Sequence, residues 1–171
     1  MQKLTIEQVK KNSPKTLLKI IQRAKDYLKT NDVFKDMCKE YGIETDVIDL
    51  IPMRFGDLDV SARTDHGIIT LSYKLLCDGD FIKDAHYIIH ESQHYLDQCY
   101  GKKPTKGADE GDYLHNPFEQ EGFQRQIEYI DDQHGAEEAE NYVDNLLDHH
   151  DKDGKDRNEL KEVLMERIDD E

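Results

Sequence analysis

Apolar residues near the start of the chain recur at helical spacing. Ser13 precedes Pro14, the arrangement of an N-cap followed by proline at the first helical position. The residues that follow predict an amphipathic helix over 14–29, with its apolar face made by Leu17, Leu18, Ile20, Ile21, Ala24, Tyr27 and Leu28. A second short helix is predicted through Val33, Phe34, Met37 and Cys38. It should end near Gly42, because glycine accepts the left-handed backbone of a helix C-terminus.

From Val47 onward the pattern changes from helical spacing to alternation. Leu58, Val60 and Ala62 alternate with polar residues, which predicts a half-buried strand over 58–63. Residues 64–67 are of types that favour a turn. Residues 68–73 are rich in the β-branched and aromatic side chains that favour strands. We therefore expect a small antiparallel sheet.

The second half of the chain predicts helices again. One helix is expected from about Phe81 to Cys99, and another from Asn116-Pro117 to about Gly135. Between them, the stretch 101–112 is rich in Gly and Pro, so it should be an exposed, mobile loop able to act as a lid. Two further helices are expected over about 136–149 and 158–169, separated by a polar linker at 150–156.

The predicted elements indicate an α+β protein, mostly helical, with a small sheet. The length of 171 residues fits a single domain over 1–171. Its predicted parts are N-terminal helices (1–45), the sheet (46–76), helices 81–133 and acidic C-terminal helices (134–171). Three cysteines form neither an even set nor a CxxC pair, which fits a reducing compartment.

The net charge of −15 argues against nucleic acid as a partner, because a polyanion is repelled by an acidic surface. The charge is uneven: residues 1–40 carry +5 and residues 108–171 carry −16. No run of about 18 apolar residues is present to span a bilayer. A cytoplasmic protein with no membrane partner is therefore expected.

The candidate chemistry lies in the helix predicted over 81–99. His90-Glu91-Ser92-Gln93-His94 matches H-E-x-x-H, in which two histidines four residues apart project from one helical face and can share one Zn²⁺. Glu91 lies beside that face and is placed to act as a general base. Catalytic zinc usually takes three protein ligands, so a further donor is needed from elsewhere in the chain.

The motif helix with a strand before it resembles the zincin metallopeptidases, and Glu119-Gln120-Glu121-Gly122 downstream resembles the E-x-x-A element of their gluzincin branch. The resemblance covers mainly residues 67–130 and implies that Glu119 is the third zinc ligand. Glu121, about 200° further round the helix, is an alternative, as is a histidine such as His115 or His134. Phe123 stands where many gluzincins have an Asp that orients the first His.

Three other residues have both a functional and an ordinary interpretation, and one apparent motif is rejected. Asp97 is either a hydrogen-bond partner of a metal-bound histidine or a solvated surface residue. His86 either contacts substrate or is an exposed helix histidine, and Tyr113 either stabilises an oxyanion or packs. The residues after His149 do not fit a calcium loop, because His149 and Leu160 occupy positions that need Asp and Glu.

The resemblance implies a zinc-dependent metallopeptidase that cleaves a protein or peptide substrate, with zinc-activated water and Glu91 as base. The chain is similar to small intracellular, often phage-encoded gluzincins. This similarity implies a location in the host cytoplasm if the chain is phage-encoded. An extended substrate would then pair with the strand at 58–63 or the one at 67–73. The alternative is a catalytically silent zincin-fold protein that binds a basic partner through its acidic C-terminal helices.

Overall fold

The computed structural model describes residues 3–77, 84–101 and 113–169. The chain divides into two compact units, Met1–Tyr100 and Gly101–Glu171. Most described residues are helical and three short strands form one sheet, so the predicted α+β class is confirmed. The single domain expected over 1–171 stays a prediction.

The N-terminal helices agree closely with the sequence pattern. They are α1 (Ile6–Lys10), α2 (Pro14–Lys29) and α3 (Asp32–Glu40). The Ser13 hydroxyl accepts a hydrogen bond from the Thr16 backbone N–H at 3.2 Å, so the predicted N-cap is confirmed. Gly42, with φ of +68°, follows the end of α3 as expected. The first helix was not predicted, because five residues are too few for a helical period to show.

The sheet is mixed rather than antiparallel. Its strands are β1 (Met53–Gly56), β2 (Ala62–Asp65) and β3 (Ile68–Ser72), in the order β1-β3-β2. β1 pairs with β3 in parallel, and β2 pairs with β3 antiparallel. The strand expected at 58–63 begins only at Ala62, and β1 was not predicted. Four residues contain too few alternations to mark a strand in the sequence.

A tight hairpin joins β2 to β3. Its two turn residues, His66 and Gly67, have φ of +52° and +74°, as in the type I′ turn whose twist matches that of the strands. β3 therefore lies between two strands and has no free edge. The prediction that the strand at 67–73 pairs with an extended substrate is wrong for this reason, and β2 retains an outer edge.

The remaining helix of the first unit packs against this hairpin. It is α4 (Ala85–Tyr100), which contacts β2 and β3, while α2 contacts β1 and the 3-10 turn Thr45–Leu50. Ala85, Ile88, Ile89 and Leu96 give α4 a buried apolar face. The first residues of the helix predicted from Phe81, residues 81–83, lie outside the described part of the chain.

The second unit is a cluster of helices around α5. These are α5 (Pro117–His134), α6 (Ala136–His149), α7 (Gly154–Leu164) and α8 (Glu166–Asp169), and α5 contacts the other three. Its interior is apolar and consists of Leu114, Phe123, Ile127, Ile130, Ala139, Val143, Leu147, Leu160 and Leu164. The lid predicted at 101–112 lies outside the described residues, apart from Gly101.

The C-terminal boundaries differ from the prediction. The linker expected over 150–156 is shorter, because α7 begins at Gly154, and the helix expected over 158–169 is interrupted at Met165. The first turn of α7 is polar and exposed or half-buried, so it carries no apolar period in the sequence. Among the described residues, no helix combines the length and apolar character needed to cross a membrane.

Candidate metal centre

Two histidines of α4 face the same side of the helix. The Nε2 atoms of His90 and His94 are 3.1 Å apart, and their rings meet edge to face with centroids 4.8 Å apart. His90 is buried and His94 is half-buried. The four-residue spacing produces this pairing, because positions i and i+4 lie one turn apart on an α-helix.

The separation of the two nitrogens fits a shared zinc ion. Zinc binds histidine nitrogen at about 2.0–2.1 Å in tetrahedral geometry, which puts two such nitrogens about 3.3–3.4 Å apart. The observed 3.1 Å lies close to that value. A single cation could therefore contact both nitrogens.

Glu91 is held by a residue from the hairpin. Its side chain is almost completely buried, with 9% of the residue exposed. The Thr64 hydroxyl on β2 lies 2.5 Å from Oε2 of Glu91 and 3.2 Å from its backbone carbonyl oxygen. Thr64 is 27 residues away in sequence and lay in a predicted turn, so no periodicity or motif pointed to this contact.

A buried polar group lies one turn beyond His94. Asp97 accepts hydrogen bonds at Oδ1 from the Tyr41 hydroxyl and from Gln93 Nε2, the latter at 3.3 Å. Burial raises the pKa of the Asp97 carboxyl, while those two hydrogen bonds and the nearby His94 lower it. Since Asp97 is only 8% exposed, its interpretation as a solvated surface residue is wrong.

The acidic candidates lie on α5 in the second unit. Glu119 is in the first turn of that helix, whose N-cap Asn116 accepts a hydrogen bond from the Phe118 N–H at 2.9 Å. Glu119 and Glu121 are both half-buried. Among the described residues, His90, His94 and Glu119 are the group of three or more His, Cys, Asp and Glu side chains that could hold a metal ion. Glu121 is not a member of this group.

The two histidine alternatives for the third ligand also fall outside that group. His115 Nε2 lies 2.9 Å from a carboxylate oxygen of Asp156. His134 is exposed in the last turn of α5.

Three further residues from the sequence analysis make ring contacts or are buried. The Tyr113 ring packs against Phe123 and stacks on His150, with centroid distances of 5.9 and 5.5 Å, so its packing role is confirmed. Phe123 is buried in the apolar interior of the second unit. His86 is half-buried and its ring contacts that of Tyr87.

No protein-family model, no curated protein and no solved structure matches the chain.

Proposed function

We propose that this chain is a zinc-dependent metallopeptidase in which His90, His94 and Glu119 hold Zn²⁺ and Glu91 is the general base. The observation that carries the proposal is the pair of imidazole Nε2 atoms 3.1 Å apart on α4, with Glu91 next to His90 in the helix. Two histidines and one carboxylate form a ligand set that is found in catalytic zinc sites. Three protein ligands leave the fourth coordination position open for water or substrate.

Zinc bound there would supply Lewis acidity, which polarises a peptide carbonyl and lowers the pKa of water. The residues of the chain supply the proton transfers. A carboxylate oxygen of Glu91 takes the proton of the attacking water as the new C–O bond forms. Glu91 then gives that proton to the leaving nitrogen as the peptide C–N bond breaks.

The outer edge of β2 supports a peptide as the substrate. β2 contacts α4, and its residue Thr64 contacts Glu91 directly. An extended peptide can add to a free strand edge through main-chain hydrogen bonds, which place its backbone along the strand. A peptide lying on β2 would therefore run beside the helix that carries the motif.

The silent binding protein is the weaker alternative, because part of the acidity of the C-terminal helices is already paired within the unit. Lys161 Nζ lies 2.9 Å from Glu140 and 3.0 Å from Asp144, and Arg157 lies 2.6 Å from Asp148. These carboxylates on α6 are neutralised by α7. They are less available to a basic partner than the net charge of the segment indicates.

Metal analysis combined with a hydrolysis assay tests the proposal. We expect about one zinc per chain in the wild-type protein, loss of that zinc in His94→Ala, and retention of it in His134→Ala, the matched control. Glu91→Gln should keep zinc and lose hydrolysis of an internally quenched peptide library by a factor on the order of 10²–10⁴.

The third ligand is tested by two neighbouring substitutions of the same type. Glu119→Gln should lower the zinc content, whereas Glu121→Gln should leave it unchanged. Wild-type protein that holds no zinc after zinc supplementation would contradict the proposed metal site. Wild-type protein that holds zinc but hydrolyses no peptide in the library would favour the silent binding protein.

A further inference from the structure

We propose that Thr64 is a positioning residue for Glu91, fixing the carboxylate of the base through its hydroxyl. The inference rests on the proposed peptidase function for its catalytic consequence, although the contact itself is independent of that function. Neither the H-E-x-x-H motif nor its helix contains this residue, since Thr64 belongs to β2.

The first argument is the geometry of the contact. The hydroxyl oxygen of Thr64 is 2.5 Å from Oε2 of Glu91, within the short range of hydrogen bonds in which a hydroxyl donates to a charged oxygen. A carboxylate only accepts hydrogen bonds, so Thr64 is the donor when Glu91 is ionised. The same hydroxyl lies 3.2 Å from the backbone carbonyl oxygen of Glu91, so Thr64 contacts both the backbone and the side chain of that residue.

The second argument is the freedom that the contact removes. A glutamate side chain has three rotatable bonds, and its carboxylate can take several positions unless a partner selects one. Glu91 is nearly buried, and within the described part of the chain Thr64 is the residue whose side chain hydrogen-bonds its carboxylate. Because Oε2 is engaged, the carboxylate is held in one orientation.

The third argument is that the donor itself is firmly placed. The backbone of Thr64 is paired opposite Ile69 of β3, and the chain turns back only two residues later at His66 and Gly67. Threonine is also β-branched, so its χ1 angle is restricted. A donor on a paired strand with a stiff side chain positions its acceptor more precisely than a donor on a long, flexible side chain.

The hydrogen-bond pattern of the hairpin gives Thr64 a second role in the same site. The Ser72 N–H donates to the Ser61 carbonyl at 2.8 Å, and hydrogen-bonded pairs alternate along an antiparallel ladder. Thr64 is three residues beyond Ser61, so its backbone N–H and C=O face away from β3, toward the outer edge of β2. One residue thus offers its backbone to that edge and its hydroxyl to Glu91.

The test compares Thr64→Val, which removes the hydroxyl at nearly constant shape, with Thr64→Ser, which keeps it. Crystal structures of both variants and of the wild-type protein show the Glu91 carboxylate directly, whether or not the protein hydrolyses peptides. We expect one carboxylate position in the wild-type protein and in Thr64→Ser. In Thr64→Val we expect a displaced carboxylate or more than one position. An unchanged carboxylate in Thr64→Val would overturn the proposal.

Kinetics on the internally quenched peptide library provide the second readout. Thr64→Val should lower kcat by a factor of about 10–100 with KM and zinc content nearly unchanged, because a misplaced base weakens catalysis without removing metal or substrate contacts. Thr64→Ser should restore most of kcat. A wild-type kcat in Thr64→Val, or an equal loss in Thr64→Ser, would contradict the positioning role.

Thr70→Val is the matched control, since Thr70 lies on β3, is half-buried like Thr64, and uses its hydroxyl to accept from Arg54 Nε at 3.2 Å. It should retain the wild-type kcat. If Thr64→Val does not fold, Thr64→Ala serves for the same measurements. Wild-type protein that binds zinc without hydrolysing peptides would refute the peptidase, while the crystallographic comparison would still decide the role of Thr64.

Discussion

The helix α4 buries mostly polar side chains, whereas the second unit buries mostly apolar ones. Five polar or charged residues of α4 are buried, namely His90, Glu91, Ser92, Gln93 and Asp97. The second unit buries a cluster of nine apolar residues, and among its described residues the buried polar or charged ones are Asn116, Arg125 and Gln126. Burying polar groups costs free energy unless they are hydrogen-bonded, whereas burying apolar groups stabilises the fold.

This difference is expected if α4 carries the proposed metal site. In the second unit, the buried positions of α6 and α7 are apolar and serve packing, and α5 buries Arg125 and Gln126 in addition to its apolar residues. In α4, one face is apolar, and the buried Glu91 and Asp97 accept hydrogen bonds from Thr64 and Tyr41 of other elements. Functional groups are commonly placed at such a cost in stability.

The largest change in the free energy of unfolding is expected from truncating a side chain in the apolar interior of the second unit. Leu147 is completely buried in that cluster, so Leu147→Ala should lower the free energy of unfolding by about 2–5 kcal/mol. Leu146→Ala is the control on the same helix, because Leu146 is only partly buried, and its loss should be smaller. Urea unfolding followed by circular dichroism measures both. Equal losses would show that this cluster is not the stabilising interior.

A truncation inside α4 is expected to change the free energy of unfolding in the opposite direction. Ser92 is fully buried, and its hydroxyl has no hydrogen-bond partner among the described residues. Ser92→Ala removes that unsatisfied group and adds a better helix former, so it should raise the free energy of unfolding by about 1 kcal/mol. Thermal or urea unfolding measures the change. A destabilised variant would indicate that the hydroxyl is satisfied, and the contrast with Leu147→Ala would weaken.

The smallest effect is expected in the pH dependence of stability, because opposing influences act on Asp97. Burial raises its pKa, and the hydrogen bonds from Tyr41 and Gln93 lower it, leaving a pKa above the ordinary value. The folded protein therefore binds this proton more tightly than the unfolded chain does. The resulting stability is present at low pH and is lost as the pH rises from the ordinary carboxyl pKa through the raised one.

Asp97→Asn removes this titration. Between about pH 3 and pH 7, the free energy of unfolding of the wild-type protein should fall relative to that of the variant as the pH rises. Urea unfolding at a series of pH values gives the difference. If the stability of the wild-type protein instead rises relative to that of the variant, hydrogen bonding rather than burial sets the pKa of the Asp97 carboxyl.

Long periodic segments and local signals were predicted well from the sequence. The bounds of α2 agree with the predicted 14–29, and α5 begins at Pro117, in the predicted Asn116-Pro117 start. These features depend on residues close together in the chain, namely an N-cap followed by proline and an apolar period over several turns. The pairing of the His90 and His94 rings also follows from local spacing alone.

Features that depend on distant residues were not predicted. β1 is four residues long and is defined by its pairing with β3, so its own sequence carries little signal. The expected antiparallel sheet was wrong for the same reason, since strand direction depends on which strands meet. The start of α7 at Gly154 was missed because its first turn is polar and packs little.

The sequence by itself determined the H-E-x-x-H helix, the acidic C-terminal third and the mostly helical character of the chain. These properties follow from composition and from spacings of a few residues. The tertiary structure alone decided that Thr64 contacts Glu91 and that Tyr41 contacts Asp97, across 27 and 56 residues. A single sequence cannot reveal such pairs, because a polar residue far away in the chain becomes a partner only when folding brings its strand or helix to the site.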